Sequence, residues 1–271
     1  ILSQSIDIFF KWAYNVSMLF DRTHILYMLI SSFITAGLLV LAYFFVKTQK
    51  GKERVLKIAA IVTVAIHFSS LWVDFFRTGE ATVQESMLIP LYPCNICMWL
   101  LLIVALWKNR TGVAYTVLCE FTFWAGVVCG SLGIILNENY GRTPDLRDYE
   151  ILKGLVSHST MVFGALYLLV GKFMRIRVFN TVSGACGLLL FILDGYVINT
   201  LYAAFGLSPC NAMYLLETPF PQMPWLSPYL MGVMALVLVF GITALHEQLS
   251  LPKEERWYEL VRANKDKDKI K

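Results

Sequence analysis

Seven apolar runs, each close to the roughly 20 residues that a helix needs to cross a ~30 Å hydrocarbon layer, constrain this chain more than any other feature. They lie at about 25–46, 55–75, 92–107, 112–136, 151–171, 178–204 and 227–248. A soluble globule is excluded. With 57% apolar and 15% charged residues and a mean hydropathy of +0.61, a chain of 271 residues has too little polar surface to solvate itself. The expected fold is therefore all-α, a polytopic membrane protein of seven transmembrane helices. The bundle covers 25–248, and an interfacial N-terminal segment over 1–24 precedes it, with Ile6, Phe9, Phe10, Trp12, Ala13, Val16, Leu19 and Phe20 at helical spacing. A basic tail over 249–271 follows. The third run is the shortest and opens with Pro90 and Pro93, which suit a helix start and can bend a helix where its backbone lines a cavity.

Basic residues set the orientation, because they resist translocation. Lys47, Lys50, Lys52, Arg54 and Lys57 crowd the first connection, Lys108 and Arg110 the third, Lys172, Arg175 and Arg177 the fifth, and seven more lie in the tail from Lys253. The alternate connections dilute Arg77, Arg142, Arg147 and Lys153 with Glu80, Glu85, Glu138, Asp145, Asp148 and Glu150. This pattern places the N-terminus outside and the C-terminus in the cytoplasm. The net charge of +4 is then a topology signal and no nucleic-acid footprint.

The outer half of the membrane collects polar residues that are costly in lipid and so call for a partner or a function. His67, Ser70 and Asp74 form one stripe on the second span. Cys94, Asn95 and Cys97 begin the third span, and Asp194 and Asn199 occupy the sixth. His158 lies about seven residues inside the fifth span, roughly 10 Å deep at 1.5 Å per residue. Cys94 and His158 can meet if the third and fifth spans are neighbours. A thiol in apolar surroundings needs a base to become a nucleophile. An imidazole can take that proton and return it to a leaving alkoxide, while an amide such as Asn95 or Asn199 donates to the oxyanion. The pattern fits acyl transfer, and the depth fits a lipid ester, so the expected substrate is a membrane phospholipid or other glycerolipid. No cofactor or metal is expected, and a membrane protein partner stays unidentified.

Blander readings stand beside this one. Cys119, Cys129 and Cys186 read as small packing residues, Asp74 as a snorkelling helix end, and Gly126 with Gly130 as a close-packing site. Glu120 lies toward the inner half of the fourth span, away from the outer group, with no partner the sequence identifies. Cys94-x-x-Cys97 with Cys210 admits a thiol oxidoreductase, and Cys94, Cys97 and His158 admit zinc. His67, Asp74 and Asp194 could line a transport path, or the chain could be a noncatalytic subunit.

The run Ile89-Pro90-Leu91-Tyr92-Pro93-Cys94-Asn95-Ile96-Cys97-Met98-Trp99-Leu100 resembles the Cys-centred third-span motif of the transmembrane protein 164 family and its bacterial YwaF-type members. Ser157-His158 followed by Tyr167-Leu168 is similar to that family's membrane histidine. Asn199, Asn211-Ala212-Met213-Tyr214-Leu215 and Pro219 are similar to its Asn-Tyr-Met-Tyr-Leu segment, and Thr23-His24 to a further histidine. Tyr92 stands where bacterial members often have His, and Ala212 where Tyr is expected. The family is described as intramembrane acyltransferases that work through a cysteine. The resemblance thus implies Cys94 as nucleophile and His158 as its partner. His24, His67, Asp74, Asn95, Asp194, Asn199, Asn211 and Tyr214 would orient or bind substrate, in a multi-pass protein of a bacterial plasma membrane.

Overall fold

The computed structural model describes residues 20–81, 83, 85–137, 139–140, 144–218 and 227–268, with side chains described as far as Arg262. The expected interfacial segment lies outside the described residues up to position 19, as do Pro219, Lys269 and Lys271. The described chain is all-helical and carries seven helices long and apolar enough to cross a membrane. In order they are α1 (Arg22–Phe45), α2 (Gln49–Thr78), the short α3 (Glu85–Leu88) with α4 (Pro93–Leu106), α5 (Val113–Ile135), α6 (Tyr149–Val170), α7 (Thr181–Ala204) and α8 (Pro228–Ser250). A further helix, α9 (Trp257–Asp268), follows the last span.

Local chemistry sets these boundaries. Asp21 accepts the His24 N–H at 2.7 Å to start α1, Asp148 accepts the Glu150 N–H to start α6, and Ser227 accepts the Leu230 N–H ahead of Pro228 to start α8. Each such cap satisfies a donor that the first turn leaves free. The second helix exceeds the expected 55–75 at both ends because Thr48 caps its start and Gly79, at φ 79°, closes it in the left-handed region. The third span is broken. Pro90 and Pro93 deny the chain a continuous helix, so Ile89–Tyr92 is unwound and α4 restarts at Pro93. Its 14 residues reach only about 21 Å at 1.5 Å per residue, which puts the break within the thickness of the bilayer.

The core forms around α5 and α6. Half of the apolar window of each is buried, against 0% in α1 and 11% in α8, so the outer helices present their sides to lipid. A Cβ on Gly126 would lie 2.8 Å from that of Ala165, and one on Gly130 2.7 Å from Val162 Cγ2, so the small residues let α5 and α6 approach closely. Hydroxyl pairs also join helices: Thr63 Oγ1 donates to Thr160 Oγ1 at 3.0 Å, and Tyr27 and Ser159 hydroxyls lie 3.0 Å apart. Glu120 finds its partner on α7, where Ser183 Oγ donates to it at 2.9 Å.

A second buried carboxylate, Glu247 at 1% exposure, was not singled out by sequence. It accepts the Val178 N–H at 2.7 Å and the Trp257 N–H at 2.8 Å and pairs with Arg177 at 3.4 Å, tying α8, α9 and the start of the sixth span together. Glu247→Ala strands two backbone donors, so a loss of about 3 kcal/mol is expected, read as a lower unfolding temperature in detergent. An unchanged temperature would show that Glu247 is no latch.

Candidate functional site

The break in the third span builds the site. Tyr92, extended at φ −125°, ψ 152°, precedes Pro93 at the head of α4. Its carbonyl accepts the Asn95 N–H at 2.9 Å, and its own N–H donates to Asn95 Oδ1 at 3.0 Å. The reciprocal pair holds the first turn, and Cys94 becomes the second helical residue. A helix N-terminus presents unsatisfied donors and partial positive charge. Unwound backbone is tolerated at such depth only when protein or water surrounds it. Cys94 is half-buried.

One imidazole lies against this turn. His67 Nε2 lies 3.4 Å from Asn95 Nδ2 and 3.3 Å from Ser86 O. With Nε2 unprotonated the amide donates to it, and with Nε2 protonated the ring donates to the carbonyl, since one nitrogen cannot do both. His67 thereby spans the break, touching α3 and α4 at once. The second imidazole, His158 on α6, is 2.6 Å through Nδ1 from Gly154 O. A carbonyl only accepts, so Nδ1 carries the hydrogen and Nε2 of the neutral ring is the basic nitrogen. The ring rests on bare α5 backbone: a Cβ at Gly133 would lie 2.3 Å from Cδ2 and 2.4 Å from Nε2. Asn137, buried one turn further on, donates to Gly133 O at 3.4 Å.

Two far-separated stretches meet here. The Met213 N–H donates to Leu91 O at 2.8 Å, and the Tyr92 and Tyr214 rings lie 5.2 Å apart, so the turn after α7 closes over the entry to α4. Asn199 anchors that turn, taking the Ala212 N–H at 2.8 Å and the Cys210 thiol at 3.4 Å and donating to Ala212 O at 3.2 Å. Asn211 fastens its far side through Leu216 N–H, Glu217 N–H and Glu217 O, each at 3.0 Å. Asn211, Met213 and Tyr214 all adopt positive φ (47°, 54° and 58°), a strain of about 1–2 kcal/mol per residue that the anchors must offset. Such strain gathers at functional sites.

The remaining candidates sit apart. His24 is fully buried, donates through Nε2 to Ile134 O at 2.8 Å, and lies 4.6 Å from the Tyr140 ring, pinning α1 to the end of α5. Burial, with the Asp21 carboxylate beside it, pushes the Tyr140 phenol up to about 12, so it stays a neutral donor. Asp74 is half-buried two turns beyond His67, and Asp194 on α7 has one buried oxygen without a hydrogen-bond partner. Among the described residues neither carboxylate bonds to His158; the Gly154 carbonyl orients the ring instead.

Sequence reasoning missed three contributors. Lys153 reads as a loop cation, yet its side chain is 9% exposed and its ammonium donates to Ser70 at 3.1 Å and Glu150 at 2.5 Å. Gly133 and Asn137 carry no motif. Cys129 packs in the same apolar cluster as Cys94, Cys97 and Met213. All six cysteines are free, and Cys210 belongs to a different cluster, with Leu91 and Tyr92. Among the described residues no three His, Cys, Asp or Glu side chains converge as metal ligands, so Cys94, Cys97 and His158 do not assemble as a zinc site.

Seven spans, a third one broken near its start and a strained turn docked on the break define an integral multi-pass membrane protein with thiol and imidazole groups inside the bundle. Residues 19–245 match the TMEM164 family. The chain belongs to that family. No curated protein and no solved structure matches it.

Proposed function

We propose that the protein is an intramembrane acyltransferase that moves a fatty acyl group from, or between, glycerolipids through a thioester on Cys94. The observation that carries this reading is the position of Cys94, second residue of a helix that restarts after a break in the third span. Cys94 Sγ attacks the ester carbonyl, and the thiol proton passes to Nε2 of His158. The tetrahedral oxyanion is held by the Cys94 N–H, which is free among the described residues because Pro93 has none and Tyr92 O takes the Asn95 N–H, and by the Asn95 side-chain amide. Collapse breaks the ester C–O bond, and the imidazolium returns its proton to the lysolipid alkoxide. An acceptor hydroxyl then repeats these steps in reverse on the thioester.

In this reading the basic connections lie in the cytoplasm, as the resistance of basic residues to translocation favours, and the site lies toward the outer leaflet of a bacterial plasma membrane. Lipid ester carbonyls lie at the edge of the hydrocarbon layer, which matches a nucleophile held part-way into the bundle. The substrate is a membrane phospholipid or another glycerolipid.

Intact-protein mass spectrometry after incubation with mixed phospholipids tests the reading. Wild-type protein is expected to carry a hydroxylamine-sensitive acyl adduct and to release lysolipid or remodelled product; Cys94→Ala is expected to do neither while remaining folded. Turnover that persists in folded Cys94→Ala removes Cys94 as the nucleophile. Solute or lipid transport that survives the same substitution would assign the chain to the transporters.

A further inference from the structure

The seam between α2 and α6 holds a cation more deeply buried than its partners explain. Contacts along it run toward the start of α6, from Thr63 with Thr160, through Ser70 with Lys153, to Ser69 with Tyr149. Lys153 is the fifth residue of α6, about 6 Å from its start at 1.5 Å per residue. An exposed ion pair with Glu150 would contribute little and would not draw the ammonium inward. Yet the Lys153 side chain is 9% exposed while that of Glu150 stays at 40%. Ser70, its other partner, is fully buried. An ammonium has three donors; Glu150 and Ser70 take two, and the third meets no acceptor among the described residues. A buried charge short of partners is costly, and in a membrane protein it marks a site. Ser70 and His67 are three residues apart on α2 and share a face. His67 Nε2 lies 3.4 Å from the Asn95 amide, and Asn95 follows Cys94. The ammonium is thus held against α2 about 4.5 Å further along the helix than that amide, three residues at 1.5 Å each.

We infer that Lys153 binds the phosphate of a glycerophospholipid and selects that class of lipid over diacylglycerol. A glycerophospholipid carries its phosphate one glycerol unit from its ester carbonyls, and the seam offers a cation one helical turn from the Asn95 amide. A phosphate oxygen takes the third N–H of the ammonium in a charge-assisted hydrogen bond. Glu150 and Ser70 fix the direction of that N–H. A diacylglycerol ends in a hydroxyl at the same place, brings no anion to the ammonium and is held less firmly. The purpose of this selection rests on the acyl-transfer reading, but lipid binding can be measured without turnover.

The test is native mass spectrometry of the whole chain in detergent, titrated with dioleoylphosphatidylcholine or with dioleoylglycerol. The two share their acyl chains, and the first has no net charge for the basic connections to attract. Wild-type protein is expected to prefer the phospholipid about tenfold, the scale of one charge-assisted hydrogen bond. Lys153→Gln keeps an amide that can meet Ser70 and Glu150 but removes the charge, and it should bring the two lipids level. Lys153→Arg should keep the preference. Taking the ratio of the two lipids within each variant cancels a general loss of stability. A wild-type protein that binds both lipids alike, or a folded Lys153→Gln protein with the wild-type preference, overturns the inference. So does displacement of the phospholipid by inorganic phosphate, which would make this the site of a free anion. A preference lost in Lys153→Gln, in a protein that transfers no acyl group, upholds the phosphate contact and removes the acyltransferase reading alone.

Discussion

Under the proposed function, acyl transfer by Gly133→Ala is expected to fall about 10²-fold, the scale of loss for a catalytic group displaced by about 1 Å. The added methyl would occupy the place of the His158 ring, within 2.3–2.9 Å of three of its atoms. The ring cannot slide freely, because Nδ1 is held by Gly154 O at 2.6 Å. Either that bond breaks or the Nε2 edge swings away from α5, and both misdirect the basic nitrogen. His158→Ala should lose more, about 10²–10⁴-fold, as expected for removal of a general base. Gly133→Ala in a His158→Ala background should then cost little further activity, since both act through one ring. Overpacking one methyl costs about 1–3 kcal/mol, so the protein should still purify as a folded species. A folded Gly133→Ala protein with activity within twofold of wild type would show that the seat of His158 does not matter.

Asn199→Leu is expected to lower stability by about 2–4 kcal/mol, the cost of leaving two buried backbone groups unpaired. Ala212 is fully buried, and both its N–H and its carbonyl bond to the Asn199 carboxamide. Leucine matches the volume but offers neither partner. The turn that follows carries three positive-φ residues other than glycine, so it relaxes once its anchor is gone. Relaxation would break the Met213 to Leu91 hydrogen bond and separate Tyr214 from Tyr92, uncovering the start of α4. The measurement is thermal unfolding in detergent together with maleimide labelling of Cys94 and Cys210, both expected to label faster in the variant. An unchanged unfolding temperature and unchanged labelling would refute the anchor.

How these residues came to be recognised differs from case to case. Cys94 and His158 stand out in the sequence because a polar group in a hydrophobic run is costly and therefore conspicuous, whereas the Asn211–Leu215 segment stands out only by its resemblance to the family. Gly133 is the reverse case. Its importance is the absence of a side chain where another helix delivers an imidazole, and only α6 seated against α5 reveals that. Lys153 was read with the loop before α6, although its ammonium turns back to Ser70 on α2.

The sequence by itself determined the seven spans, the all-α class, the break at Pro90 and Pro93 and most helix caps. These follow from hydrophobic length, from the missing N–H and fixed φ of proline, and from side chains that bond to their own local backbone. Only the tertiary structure decided that α5 and α6 form the centre, that the turn after α7 docks on the entry to α4, and that the Gly154 carbonyl rather than a carboxylate orients His158. Lipid is as apolar as the helix sides, so hydropathy carries no preference among helix neighbours. Those neighbours are chosen by shape, by the glycines of α5, the hydroxyl pairs of α6 and the anchored turn.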